Sequence, residues 1–100
     1  MNRRGHAGKV DANQQSVVAA LKAAGVIVRS LATVGDGMSD LLCAVPQATF
    51  LIEVKMPGET LTPKQKDWHR ECPWRNHIAH SPEEALAIAA YYRERKWQIA

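Results

Sequence analysis

Three ionisable residues lie at the ends of two apolar runs, where turn residues normally stand. Asp40 opens the run 40–45, and the triplet Glu53-x-Lys55 closes the run 49–55. Side chains two residues apart in a strand project from the same face, so Glu53 and Lys55 place a carboxylate beside an ammonium group. Taken singly, each feature is also typical of an ordinary turn cap or of a solvated strand edge.

The short segment 46–47 joins the two runs and predicts a hairpin with a two-residue turn. In that register Val45 pairs with Ala48, and Asp40 falls directly opposite Glu53 with the Cβ atoms about 4.5–5.5 Å apart. A slip of one residue would move Asp40 to the other face of the sheet. Two carboxylates and a lysine at one place suit a hard divalent cation and a nucleophilic water.

Gln65 stands in the first turn of a predicted helix that has Thr62 as its N-cap and Pro63 at its first position. It interrupts an otherwise apolar stripe of that helix, which continues through Trp68 and Cys72. Two interpretations stay open. The amide of Gln65 points towards the polar end of the preceding strand, or it only closes a capping box with Thr62.

These motifs resemble the PD-(D/E)xK nuclease superfamily, and most of all the small stand-alone VRR-NUC-type domains found in phages. The resemblance covers roughly residues 11–90. In that family a proline commonly stands at the position of Ser39. The motifs that carry the resemblance are the glycine-rich approach 35–40, Asp40, Glu53-x-Lys55 and Leu61-Thr62-Pro63-x-Gln65-x-x-Trp68-His69.

The resemblance implies a metal-dependent, structure-specific endonuclease that hydrolyses phosphodiester bonds in DNA. Asp40 and Glu53, with the backbone carbonyl of Val54, would bind Mg²⁺, with Mn²⁺ as a substitute ion. Lys55 would orient the attacking water or stabilise charge on the phosphate, and Gln65 would lie near the metal. Stand-alone relatives act as homodimers on branched DNA such as Holliday junctions. A phage or prophage origin, a replication or repair partner and a bacterial cytoplasmic location belong to the same set of expectations.

The first predicted helix departs from the family pattern. Relatives often carry a glutamate there that helps to hold metal or water, whereas this helix has no glutamate. Asn13 or Gln14 would take that position through an amide oxygen, which leaves one or two metals open. The alternative function is a non-catalytic or partner-dependent DNA-binding protein that keeps the nuclease fold.

Composition is that of one small globular domain. A net charge of +3 and a pI near 9.1 suit a polyanionic partner without demanding one. Cys43 and Cys72 are expected to be reduced thiols, and no apolar run approaches the roughly 20 residues that cross a bilayer. The expected organisation is a flexible basic arm over 1–10, a nuclease domain over 11–96 and a tail over 97–100.

The elements that must position these residues follow from periodicity and turn chemistry. They predict an α/β fold with a restriction-endonuclease-like core, in which a small mixed sheet is flanked by helices in the order α-β-β-β-α-β-α. Consecutive apolar residues in the second and third strands indicate that both sheet faces are covered. The predicted bounds are helix 11–24, strands 26–31, 40–45 and 49–55, helix 62–72, strand 76–80 and a final helix from residue 81.

Overall fold

The computed structural model describes residues 3–94, with side chains from residue 12 onward. Its seven elements keep the order predicted from the sequence, and each predicted helix and strand is present. No helix in this described range has the length and apolar character needed to span a membrane. The elements are α1 (Arg3–Ala23), β1 (Ile27–Ser30), β2 (Leu41–Val45), β3 (Ala48–Val54), α2 (Pro63–Glu71), β4 (Asn76–Ala79) and α3 (Pro82–Glu94).

The four strands form one mixed sheet in the order β1-β2-β3-β4. The first three are antiparallel neighbours, whereas β4 runs parallel to β3 after the crossover through α2. The β2–β3 hairpin has the predicted register, with Val45 opposite Ala48 and Leu41 opposite Ile52. The next pair outward is therefore Asp40 and Glu53, as the two-residue turn predicts.

The hydrophobic core lies on one face of the sheet, under α1 and α3. Alternate strand residues point to this face, as the two-residue period of a strand requires. Val17 and Leu21 of α1 and Tyr92 of α3 fill the layer above them. The strand side chains buried on this face are Val28, Leu41, Cys43, Val45, Phe50, Ile52, Val54 and Ala79.

The opposite face of the sheet is only partly covered, which corrects the expectation that both faces are buried. Leu42, Ala44 and Leu51 are half-buried on that face, and Ile27 remains 57% exposed. The short helix α2 has no fully buried residue and reaches only the end of this face that carries Glu53. Continuous apolarity along β2 and β3 therefore indicated two apolar faces, but not two equally buried ones.

Helix α1 begins at Arg3, eight residues before the predicted start, so residues 3–10 continue the helix where a flexible arm was expected. Gly5 and Gly8 in this stretch suggested a loop, but isolated glycines lower helix stability without forbidding the helix. The predicted tail over 97–100 lies outside the described residues.

The loop before β2 packs directly against the start of α2. Gly35, Asp36 and Gly37 all have positive φ, a conformation that most L-residues adopt at a cost. At Gly37 a second constraint applies, because a Cβ there would overlap the backbone carbonyl of Lys64. The close approach of this loop to α2 therefore requires glycine at position 37.

Substituting Gly37 by Ala should destabilise the fold more than substituting Gly35 by Ala. Both residues have positive φ, which costs alanine about 1–2 kcal/mol, but a Cβ at Gly35 meets no atom within 4 Å among the described residues. Urea unfolding followed by circular dichroism measures the two losses. Equal losses in the two variants would contradict the close packing of the loop on α2.

Candidate active site

Asp40 lies one residue before β2 and is tied to both neighbouring strands. Its carbonyl accepts a hydrogen bond of 2.8 Å from the N–H of Leu31, which continues the β1–β2 ladder. Its side-chain Oδ2 accepts a 2.8 Å hydrogen bond from the N–H of Val54. The carboxylate of Asp40 is thus held against the end of β3, next to Glu53.

Glu53 is a buried acid, only 3% exposed. Its Oε2 accepts a hydrogen bond of 3.1 Å from Nε2 of Gln65 and lies 3.8 Å from Nζ of Lys55. Its Oε1 is buried and has no hydrogen-bond partner among the described residues. A buried carboxylate with one oxygen that accepts no hydrogen bond lowers the stability of the fold unless a cation binds there.

Burial opposes the ionisation of both carboxyl groups. Burial first, and then the negative charge of Asp40, raise the pKa of Glu53 from an ordinary 4.5 to about 7, against the positive charge of Lys55. Burial also raises the pKa of Asp40, against the hydrogen bond from Val54 and the positive charge of Lys55. Two carboxylates that are hard to ionise together form a site where a divalent cation would be strongly stabilising.

Gln65 serves both of the roles that the sequence left open. Its Oε1 accepts a 2.9 Å hydrogen bond from the N–H of Thr62, while Oγ1 of Thr62 accepts a 3.2 Å hydrogen bond from the N–H of Gln65, which completes the capping box. Its Nε2 is then free to donate to Glu53. The cap fixes the orientation of the amide, so the capping box and the contact with the acid support each other.

Helix α1 approaches the same end of β3 through Asn13. Its Nδ2 donates a 3.4 Å hydrogen bond to the carbonyl of Lys55. Gln14 instead lines a depression on α1 together with Val18 and Lys22. Of the two amides that could replace the missing glutamate, Asn13 is the one that contacts the backbone of the site.

A buried polar network stands beside the acidic pair. Trp68 Nε1 donates a 3.2 Å hydrogen bond to Oγ of Ser39, and this hydroxyl donates one of 2.6 Å to Oδ1 of Asn76. Nδ2 of Asn76 donates in turn to the carbonyl of Cys72 at 3.1 Å. Sequence reasoning missed this network, because it placed Trp68 in an apolar stripe of α2 and gave the side chain of Ser39 no partner. The polar Asn76 at the start of a short strand was the one visible indication.

A groove of about 610 Å³ opens beside this cluster, between the loop 31–40 and the first turn of α2. Asp40, Gln65 and Lys64 line it, and apolar contributions come from Leu31 and Met38. Glu53 is not among the residues that line the groove, although its hydrogen-bond partner Gln65 is.

No cluster of three or more His, Cys, Asp and Glu side chains within residues 12–94 is arranged to hold a metal. His77 in β4 and His80, which follows this strand, have separate partners. His77 contacts the hydroxyl of Tyr92, and His80 bonds Glu84. The carboxyl groups that meet at the end of the β2–β3 hairpin are those of Asp40 and Glu53.

The fold defines the class of this protein. A small mixed sheet flanked by helices in the order α-β-β-β-α-β-α is the α/β core of restriction-endonuclease-like proteins. A family model described as the VRR-NUC domain matches residues 6–81. The chain belongs to the VRR-NUC family, and the domain it carries is a nuclease domain. Neither a curated protein nor a solved structure matches the chain.

Without divalent metal, Glu53 should contribute a loss of stability as the pH rises from 5 to 8, whereas His69 and His77, whose pKa values are lowered by burial, contribute in the opposite direction. Because the pKa of Glu53 is about 7 when folded and about 4.5 when unfolded, the folded state binds more protons in this window, so the free energy of unfolding falls with pH. The loss should be on the order of 2–3 kcal/mol. Urea unfolding in EDTA at the two pH values measures it. Glu53→Gln should remove this contribution from the dependence of stability on pH, and the exposed Glu71→Gln should not; an unchanged dependence in Glu53→Gln would contradict the assignment.

Proposed function

We propose that this chain is a divalent-metal-dependent endonuclease that hydrolyses phosphodiester bonds in DNA. The observation that supports this most directly is the pairing of Asp40 with the buried Glu53, next to Lys55 and Gln65 at the end of the β2–β3 hairpin. Membership of the VRR-NUC family supplies the nuclease class. The metal requirement, the DNA substrate and the role of each residue are our inferences from this arrangement.

The residues present fit a hard divalent cation. Glu53 has a buried oxygen without a donor, and burial opposes ionisation of both acids. Mg²⁺ prefers oxygen ligands and keeps several waters, so one or two carboxylates and a substrate phosphate suffice. Asp40 and Glu53 would bind the ion, with Mn²⁺ as a substitute, and the carbonyl of Val54 would add a third protein oxygen.

When bound, the ion would lower the pKa of a water molecule and neutralise charge on the phosphate. The chain's own groups have complementary tasks. Lys55, 3.8 Å from Glu53, places an ammonium where it can stabilise the charge that develops on the phosphate. Gln65 holds Oε2 of Glu53 and leaves its other oxygen available. Asp40 stands at the groove, where the phosphate would enter.

The substrate would follow the groove between the loop 31–40 and α2. Lys64 lines the groove, although it already lies 3.3 Å from the exposed Asp36. Lys66 and Arg70 are also exposed on α2, but on the side of the helix away from Lys64, and Arg70 lies 2.8 Å from Asp67. Exposed lysines and arginines near a cleavage site contact the phosphate backbone without reading bases, so we expect recognition of DNA shape rather than of sequence.

The proposal extends to branched DNA, such as a Holliday junction, cut by a homodimer. The described part of each chain offers one acidic pair, and resolving a junction requires two cuts in strands related by symmetry. A two-fold dimer would present two such sites in a matching arrangement. A small domain of this kind also gains substrate-binding surface by pairing with a second copy.

Replacing Asp40 by Asn or Glu53 by Gln should lower the cleavage rate by at least about 100-fold, and Lys55→Met should do so to a similar extent. Each change removes a charge from the site at nearly constant side-chain volume. Single-turnover cleavage of labelled DNA in Mg²⁺ measures the effect. Asp36→Asn is the matched control, because this exposed aspartate lies in the same loop as Asp40. Full activity in Glu53→Gln would refute the site.

Cleavage of a labelled four-way junction should require Mg²⁺ or Mn²⁺ and stop in EDTA. Linear duplex and single strands of the same sequence serve as controls, and paired cuts in the junction alone are the expected result. Cuts in duplex or flaps would support the nuclease activity but contradict the proposed preference for junctions. Tight junction binding without cleavage in any metal would favour the non-catalytic alternative, which the lack of a glutamate in α1 also favours.

A further inference from the structure

We propose that Ser39 is a positioning residue of the nuclease site. Its hydroxyl, through Trp68 and Asn76, holds the segment that carries Asp40 and the helix that carries Gln65 in a fixed relation to Glu53. The inference rests on the proposed function, because it concerns how the proposed metal ligands are kept in place. None of these three residues was a candidate for the chemistry itself.

The direction of each hydrogen bond in the network is determined by its chemistry. An indole N–H can only donate, so Ser39 Oγ accepts from Trp68 Nε1. The hydroxyl has a single proton, which goes to Oδ1 of Asn76 at 2.6 Å. Asn76 presents this oxygen because its amide nitrogen donates to the carbonyl of Cys72. The hydroxyl of Ser39 therefore provides a hydrogen-bond partner for both Trp68 and Asn76.

Each member of the network is a near neighbour of one site residue. Ser39 precedes Asp40 in the chain, and Trp68 lies one helical turn after Gln65. Asn76 pairs with Leu51 in the sheet, two residues before Glu53 and on the same face. The three hydrogen bonds thus connect the loop before β2, helix α2 and strand β4 next to the acidic pair.

Burial makes the hydroxyl of Ser39 hard to replace. Ser39 is 0% exposed and Asn76 is 7% exposed, so water does not reach the network freely. Removing the hydroxyl would leave the N–H of Trp68 and the oxygen of Asn76 without their shared partner. The loop and α2 would then lose one of the contacts that hold Asp40 and Gln65 beside Glu53, while the packing of Gly37 on Lys64 would remain. Groups that orient metal ligands typically change metal affinity or activity when they are lost.

Ser39→Ala should therefore lower kcat about 10- to 100-fold and weaken Mn²⁺ binding to the metal-free protein by a similar factor. The KM for DNA should stay within about twofold, because the groove residues are unchanged. Single-turnover and steady-state cleavage measure kcat and the KM for DNA, and titration calorimetry measures the affinity for Mn²⁺. Val28→Ala, which opens the core on the opposite face, controls for instability and should retain kcat and Mn²⁺ affinity.

A double-variant cycle separates positioning from general damage. Trp68→Phe removes the indole N–H, and if the network acts as one unit the double variant with Ser39→Ala should be no slower than Ser39→Ala alone. Additive losses would overturn the inference. A folded Ser39→Ala protein with the kcat and Mn²⁺ affinity of the wild type would also overturn the inference. That result would leave the proposed function unaffected. If Ser39→Ala does not fold, Trp68→Phe alone is the test. A lowered kcat at constant KM would support the inference, and an unchanged kcat would overturn it.

The wild-type protein and Asp40→Asn are measured in parallel. A wild-type protein without metal-dependent cleavage would refute the proposed function and the inference with it. A cleaving wild type, an inactive Asp40→Asn and an unaffected Ser39→Ala would refute only the role of Ser39. The two failures are therefore distinguishable in one set of measurements.

Discussion

The register of the β2–β3 hairpin is the constraint on which the rest of the site depends. Because strand side chains alternate between faces, a slip of one residue would separate Asp40 from Glu53 and expose Phe50 and Ile52. The two-residue turn and the buried face specify the same register: Val45 meets Ala48 at one end of the hairpin, and the acids meet at the other. Hydrophobic burial on one face thus sets the distance between two charges on the opposite face.

The cost of that arrangement falls on the metal-free protein. Glu53 is as buried as a core residue, but its environment opposes the charge that a metal site needs. The contacts that offset this cost, from Gln65 and Lys55, both reach the same oxygen of Glu53. The other oxygen is left without a donor. The buried carboxyl group of Glu53 therefore destabilises the metal-free fold at a position where a bound cation would stabilise it, and such a local cost is common at functional sites.

Local sequence information sufficed for the hairpin, the capping box and the order of the elements. The turn at 46–47 and the Thr62–Gln65 cap depend on residues within a few positions of each other. The Ser39–Asn76 hydrogen bond joins residues 37 positions apart, and no periodicity reports such a contact. The partial exposure of one sheet face was also missed. Apolar residues show which surface can be buried, but not whether a helix is long enough to cover it.

Strand β4 runs parallel to β3, and this has a consequence for how the molecule can change. A parallel neighbour requires a crossover, and here the crossover is α2, the helix that carries Gln65 and Trp68. The segment that makes the topology possible is therefore the segment that completes the site. An insertion or deletion between Gln65 and Trp68 would rotate these two residues relative to each other about the helix axis while it altered the connection to β4. Architecture and chemistry therefore cannot change independently along this stretch of chain.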